Sequence, residues 1–148
     1  MDNLRKKIMA HKKLIAYTDG GARGNPGPAA FGVVIGETYM HGEYIGETTN
    51  NIAEYSGLVY ALKHAKKGTD EADMAKVDLE VRMDSELIVK QMKGVYKVKH
   101  PTMKAQFARV MKAKEAFKEV SFTHVPRAQN ADADALANEA MDRGSNPK

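Results

Sequence analysis

Four carboxylates, Asp19, Glu54, Asp84 and Asp134, each fall where an apolar run meets a polar break. Asp19 follows LIAYT and precedes two glycines; Asp84 follows VDLEVRM. Glu54 lies just after TTNN, and Asp134, with Asp132 two residues before it, opens an alanine-rich stretch. Taken singly, each has a local alternative: a turn residue for Asp19, a capping-box-like pair of Asn51 with Glu54, a helix cap for Asp84, a helix-dipole contact for Asp134. Taken together they suggest chemistry. Several ionised carboxylates within a few ångströms repel one another and raise their pKa values. A divalent cation resolves that conflict, and hard oxygen donors with no cysteine in the chain select Mg²⁺ or Mn²⁺. Two such ions about 4 Å apart are suited to in-line displacement at a phosphodiester.

The elements needed to bring these groups together can be read from periodicity. Residues 14–18 and 31–35 are β-rich runs around a loop of glycines and prolines, and 39–45 alternates loosely as a third strand, giving a meander. A helix is expected over 52–67, closed by Gly68, with Ile52, Tyr55, Val59 and Leu62 on its core face. Glu54 falls in its first turn, on the small apolar face of Leu58, Ala61 and Ala65, so its carboxylate points along the sheet. A polar connection, 69–76, leads to a half-buried strand over 77–83, and Asp84-Ser85 opens a helix over 86–93 stopped by Gly94. Pro101 starts a third helix, to about 118, with Met103, Phe107, Val110, Met111 and Phe117 as its core stripe. A last strand, 120–125, precedes a last helix, 130–143. The pattern describes an α/β fold with a five-stranded mixed sheet and helices on both faces, the later strands parallel because helices connect them. If the strands ending in Asp19 and Asp84 are neighbours, their carboxylates meet at a sheet end, where α/β proteins gather ligands.

At 148 residues, one domain over 14–143 is expected, with a basic flexible tail over 1–13 and a loose end over 144–148. A composition 43% hydrophobic and 28% charged is that of an ordinary globular protein. Without cysteine there is no disulfide or thiolate metal site, and without a membrane-length apolar run or a signal-peptide core the expected location is cytoplasmic, with no membrane partner. The net charge of +4 favours a polyanionic partner. Nothing in the pattern calls for a dimer, so a monomer is expected.

Four segments resemble ribonuclease HI in that family's order: TDGGARGNPGPAAFGVVI, TTNNIAEYSGLVYAL, MDSELIVKQMKG and HVPRAQNADADALANEA. The likeness covers nearly all of 14–143, and its flavour is the compact subgroup with a TDGGARGNPGP opening and a VPRxxNxxADxLA close. The ADxLA pattern selects Asp134 over Asp132. The resemblance implies a ribonuclease H-like fold and hydrolysis of the RNA strand of an RNA–DNA hybrid, leaving 5′-phosphate and 3′-hydroxyl ends. It further implies two Mg²⁺ ions, with Mn²⁺ as a substitute. Asp19 would bridge both, Glu54 and Asp84 would serve the ion nearer the leaving 3′-oxygen, and Asp134 the ion that activates the attacking water.

Substrate contacts follow from the same likeness. Asn50 and Asn51 match positions facing the minor groove, where the 2′-hydroxyl separates RNA from DNA. Gly20, Gly21, Ala22, Arg23 and Asn25 form a loop whose backbone can approach closely, although a plain hairpin turn is the alternative; it is not a P-loop, since GK[ST] is absent. Thr49 would help to seat a DNA phosphate. Lys90, Lys93, Lys97, Lys99 and Lys104 crowd one region, with Lys97 and Lys99 as candidate handrails for the DNA strand and a solvated face as the alternative. Two departures stand out. This region is shorter than the tryptophan-containing protrusion of longer members, and the chain has no tryptophan. The loop after the last strand lacks the histidine that many members carry; His124 precedes it in a strand position. Arg127 is the candidate substitute, with a structural salt bridge as its alternative. The competing functions are a non-catalytic hybrid-binding module, which would be expected to have lost a carboxylate, and a same-fold nuclease with another nucleic-acid substrate, against which the paired asparagines weigh.

Overall fold

The computed structural model describes residues 12–37, 39–67 and 75–145. Five strands, β1 (Lys12–Ala22), β2 (Gly27–Ile35), β3 (Tyr39–Thr48), β4 (Val77–Met83) and β5 (Glu119–His124), form one sheet in the order β3-β2-β1-β4-β5. The meander β1-β2-β3 is antiparallel, and β1-β4 and β4-β5 are parallel. Among the described residues four helices accompany them: α1 (Asn50–Lys67), α2 (Glu86–Met92), α3 (Pro101–Lys114) and α4 (Ala131–Ser145), the last preceded by a 3₁₀ turn, Arg127–Asn130.

Alternation along the strands assigns the two faces. Phe31, Val33 and Ile35 of β2 join Val77, Leu79, Val81 and Met83 of β4 in the main core, with Tyr55, Leu58 and Leu62 of α1, Ile88 of α2 and Val110 of α3. Each fully buried side chain of this size contributes roughly 1.5–3 kcal/mol, so this layer dominates stability. The intervening residues of β2 and β3 face α4. A Cβ at Gly32 would lie 2.0 Å from the Ala133 carbonyl oxygen, and one at Gly42 would lie 2.5 Å from that of Leu136. These glycines let α4 sit directly on the sheet backbone. Because α4 packs on β1, β2 and β3, the same face of β4 takes polar residues instead. There the Glu80 carboxylate accepts from Arg82 (2.9 Å) and Thr123 (3.0 Å), and pairs with Lys13 (3.0 Å). The Arg82 bond leads in pulling its pKa down to about 2.

Several boundaries differ from the sequence reading. The first strand runs on through Asp19, Gly20 and Gly21 to Ala22, all paired with β2, so Asp19 lies within a strand. Glycines weaken a strand locally, but the ladder to β2 holds them extended. The tight turn is confined to residues 23–26. Lys12 and Lys13, expected in a loose tail, extend β1, and residues 1–11 lie outside the described residues. The first helix begins at Asn50 because the Thr49 hydroxyl accepts from the Ile52 amide at 3.3 Å, so Glu54 stands in the second turn. Gly68 and most of the 69–76 connection lie outside the described residues. The third helix ends at Lys114, although Phe117 beyond it is buried as expected. The last helix runs through Gly144 to Ser145, so the loose end expected over 144–148 is helical in its first two residues. Residues 146–148 lie outside the described residues.

Candidate active site

The parallel register pairs Thr18 of β1 with Met83 of β4. The next residues on the two strands are Asp19 and Asp84, which therefore stand side by side where the parallel pairing ends. Glu54 reaches them from α1. A Cβ at Gly20 would lie 2.5 Å from the Ala53 carbonyl carbon and the Glu54 nitrogen, so absence of a side chain there lets the second turn of α1 rest on β1. Asp134 arrives from the other face in the first turn of α4, brought close by Gly32. Four segments thus deliver one carboxylate each to a single cleft of about 510 Å³, lined by Asp19, Glu54, Asp84 and Asp134.

The electrostatics follow. Burial, then the charges of Asp84 and Asp134 with a hydrogen bond between the Asp19 and Asp134 carboxyls, push Asp19 up to about 8. Burial also raises Glu54 to about 7, opposed by a hydrogen bond from Ser85 and reinforced by Asp84. Among the described residues no cation pairs with any of the four carboxylates. Both folded values exceed the unfolded ones, so the stability these groups contribute is full below about pH 4 and is lost as pH rises towards 8. Without divalent ions, thermal denaturation is expected to show the melting temperature falling between pH 5 and 8. Glu80 has the opposite sign, but acts only below its unfolded value, outside that window. A melting temperature that is flat or rising over pH 5–8 would contradict this.

Around the carboxylates, the neighbours predicted from sequence separate into those gathered at the cleft and those elsewhere. Gly20, Gly21, Ala22, Arg23, Asn50, Asn51 and Arg127 line it. The Asn50 carboxamide oxygen accepts from the Ala22 amide (2.7 Å), and the Asn50 amide donates to Asn25 Oδ1 (3.1 Å). These bonds staple the hairpin turn to the start of α1. They also occupy the Ala22 amide, and the Arg23 amide donates to the Pro28 carbonyl at 2.8 Å, so two backbone donors expected to face a ligand are used internally. The Arg23 guanidinium bonds Asp142 (2.6 Å) and the Asn138 carbonyl (3.3 Å), closing one lip of the cleft. Thr49 serves as the α1 cap. Lys97 and Lys99 are exposed and lie outside the cleft lining; Lys90 is held by Glu86 at 2.6 Å. Arg127 makes no ion pair among the described residues. Ser85, Ala137, Asn138 and Met141 also line the cleft. Of these, Ser85 was findable from its place beside Asp84; the α4 residues needed the helix docked.

Comparison with known proteins fits this arrangement. A family described as "Reverse transcriptase-like" matches residues 17–140. The chain resembles LC11-RNase H1, whose crystal structure is a complex with an RNA/DNA hybrid, at 50% identity and a TM-score of 0.84, covering 90% of this chain and 99% of that one. The structure of RNase H1 from the archaeon Halobacterium salinarum matches at 42% identity and a TM-score of 0.80, over 88% of this chain and 98% of that one. The chain belongs to the ribonuclease H1 family. Its sheet and helices are those of the ribonuclease H fold, as the four segments implied. A "Bifunctional protein" of Mycobacterium tuberculosis is 41% identical over 137 residues, 88% of this chain and 36% of that protein. "Ribonuclease HI" of Halobacterium salinarum is 45% identical over 132 residues, 86% of this chain and 63% of that protein. This chain therefore spans about a third to two thirds of those curated relatives. Among the described residues no helix is long and apolar enough to cross a membrane.

Proposed function

We propose that this chain is an endoribonuclease that hydrolyses the RNA strand of RNA–DNA hybrids, using two divalent ions and leaving 5′-phosphate and 3′-hydroxyl ends. The observation that carries the reading is the convergence of Asp19, Glu54, Asp84 and Asp134 from four segments on one open cleft flanked by Asn50 and Asn51. The hybrid bound in the LC11-RNase H1 complex supports the substrate class.

The donor set fits Mg²⁺ in kind. It is all oxygen, and burial, reinforced by the neighbouring carboxylates, raises the pKa of Asp19 to about 8 and of Glu54 to about 7. Among the described residues no three Asp, Glu or His side chains already enclose one ion position. That agrees with Mg²⁺ chemistry, since the ion keeps several waters and takes one or two carboxylates plus substrate phosphates. Asp19, Glu54, Asp84 and Asp134 would hold the ions, with Mn²⁺ as a substitute. When bound, the pair supplies Lewis acidity at the phosphodiester and an activated water.

The chain's own groups do the rest. Asp19, central between β4 and α4, is the carboxylate the other three surround and would hold the ions together with them. Ser85 holds the Glu54 carboxyl by hydrogen bonding. The side-chain amides of Asn50, whose oxygen is held by the Ala22 amide, and of Asn51, whose nitrogen also contacts Met103 Sδ at 4.0 Å, read 2′-hydroxyls, and the stapled hairpin turn of Gly20, Gly21, Ala22, Arg23 and Asn25 forms the edge over which the hybrid lies. Thr49, at the helix cap, and the exposed Lys97 and Lys99 guide the DNA strand. Arg127, at the cleft, assists proton transfer or product release; Arg127→Ala is expected to slow turnover more than it weakens hybrid binding, and unchanged turnover would sink that role. We further read the protein as a cytoplasmic monomer.

The deciding experiment is a gel of labelled RNA–DNA hybrid incubated with Mg²⁺ or EDTA. Cleavage of the RNA strand with Mg²⁺ alone is expected. Binding without cutting would favour a hybrid-binding module, and preferential cutting of duplex DNA would favour a same-fold nuclease of other specificity.

A further inference from the structure

Asn130 ends the 3₁₀ turn and immediately precedes α4, yet it is only 1% exposed. Its amide nitrogen donates to the Thr18 carbonyl at 2.9 Å and to Asp84 Oδ1 at 3.1 Å. Thr18 is the residue before Asp19, and Asn130 lies four residues before Asp134. One buried amide therefore touches the end of β4 and the strand carrying Asp19, and itself starts the helix carrying Asp134. We infer that Asn130 is the positioning residue of the carboxylate cluster, fixing Asp84 and setting the spacing of the segments that bear Asp19 and Asp134.

The chemistry of the pair explains why an amide stands there. Both partners are acceptors, so the donor end of the carboxamide must face them; the reverse orientation would set three oxygens together. An ionised aspartate offers no donor and would add another charge to the site. A lysine or arginine would donate, but would also neutralise a carboxylate needed to attract a cation. The amide holds Asp84 without cancelling its charge, and engages one carboxylate oxygen while Asp84 still lines the cleft. The other end of the side chain, Oδ1, is buried without a hydrogen-bond partner among the described residues. Its polar bonding is thus concentrated on Asp84 and the strand beside Asp19. Partners that orient metal-binding side chains change metal affinity or activity by about 10–100-fold when removed.

The inference rests on the proposed metal-dependent hydrolysis, and the test separates the two. Full-length Asn130→Ala and Asn130→Asp would be compared with wild type by Mn²⁺ titration calorimetry, by kcat and KM on the hybrid at saturating Mg²⁺, and by thermal melting. Asn130→Ala is expected to bind Mn²⁺ about tenfold more weakly, and both variants are expected to lose about tenfold or more in kcat, with KM changed by less than about twofold. Asn130→Asp keeps the side-chain volume, so it answers the question if the alanine variant does not fold. A lowered melting temperature with wild-type Mn²⁺ affinity and wild-type kcat would show Asn130 to be merely structural and overturn the inference. Asp84→Asn is the parallel control. If it cleaves normally, the proposed carboxylate metal site is wrong; if it is inactive while both Asn130 variants behave as wild type, only the role of Asn130 fails.

Discussion

Asp19→Asn is expected to abolish hybrid cleavage while leaving the protein at least as stable as wild type at pH 8. Asp19 is the carboxylate on which the fields of Asp84, Asp134 and Glu54 converge. Losing its charge removes the group that the other three surround, and several kcal/mol of electrostatic stabilisation at the phosphoryl centre correspond to about a thousandfold or more in rate. Stability moves the other way. With a folded pKa of about 8 against 3.8 for an unperturbed aspartate, the ionised side chain destabilises the fold as pH rises, and a neutral amide of the same shape removes that cost. The melting temperature without divalent ions is therefore expected to rise by several degrees at pH 8, with little change at pH 4. The checks are a cleavage time course and melts at both pH values. Cleavage within tenfold of wild type, or a variant less stable at pH 8 than at pH 4 relative to wild type, would contradict the electrostatic account.

Gly32→Ala tests the packing that delivers Asp134. The added methyl would lie 2.0 Å from the Ala133 carbonyl oxygen and 2.9 Å from the Ala137 nitrogen. These are helix backbone atoms, so no rotamer change relieves the clash; α4 must lift from the sheet or slide along it. Overpacking of this kind costs about 1–3 kcal/mol and occasionally more, and contact with backbone places Gly32 at the upper end. That is a large share of the roughly 5–15 kcal/mol available to a domain. Activity is expected to fall further than stability, because Asp134 moves with the helix. Gly21→Ala is the control for folding: its methyl would meet nothing nearer than Asn50 Oδ1 at 3.8 Å. Urea denaturation reads the outcome, and a Gly32→Ala midpoint equal to that of Gly21→Ala would rule out the close packing as a determinant of stability.

Local chemistry in the sequence accounts for much of this protein. Strict alternation in VDLEVRM and the helical spacing of Tyr55, Leu58 and Leu62 identify their elements, because burial of one face imposes a period that survives in composition. The carboxylates are legible for the same reason, since apolar runs end at each. Glycine is where local reading misleads. Gly20 and Gly21 look like turn residues but lie in β1, because both continue a ladder with β2 and Gly20 also admits the α1 backbone, contacts supplied by distant residues. The start of α1 moves likewise, once Thr49 rather than Asn51 proves to be the cap. Asn130 is the asparagine of the VPRxxNxxADxLA pattern, but only the docking of α4 shows that its amide meets Thr18 and Asp84, 112 and 46 positions away. The sequence by itself determined the four carboxylates, the order of strands and helices along the chain, and the family to expect. The tertiary structure decided which carboxylates face one another, which donors are already used, and how closely α1 and α4 approach the sheet. Those depend on contacts between segments far apart in the chain, and the side-chain pattern of one segment does not encode the distance to another.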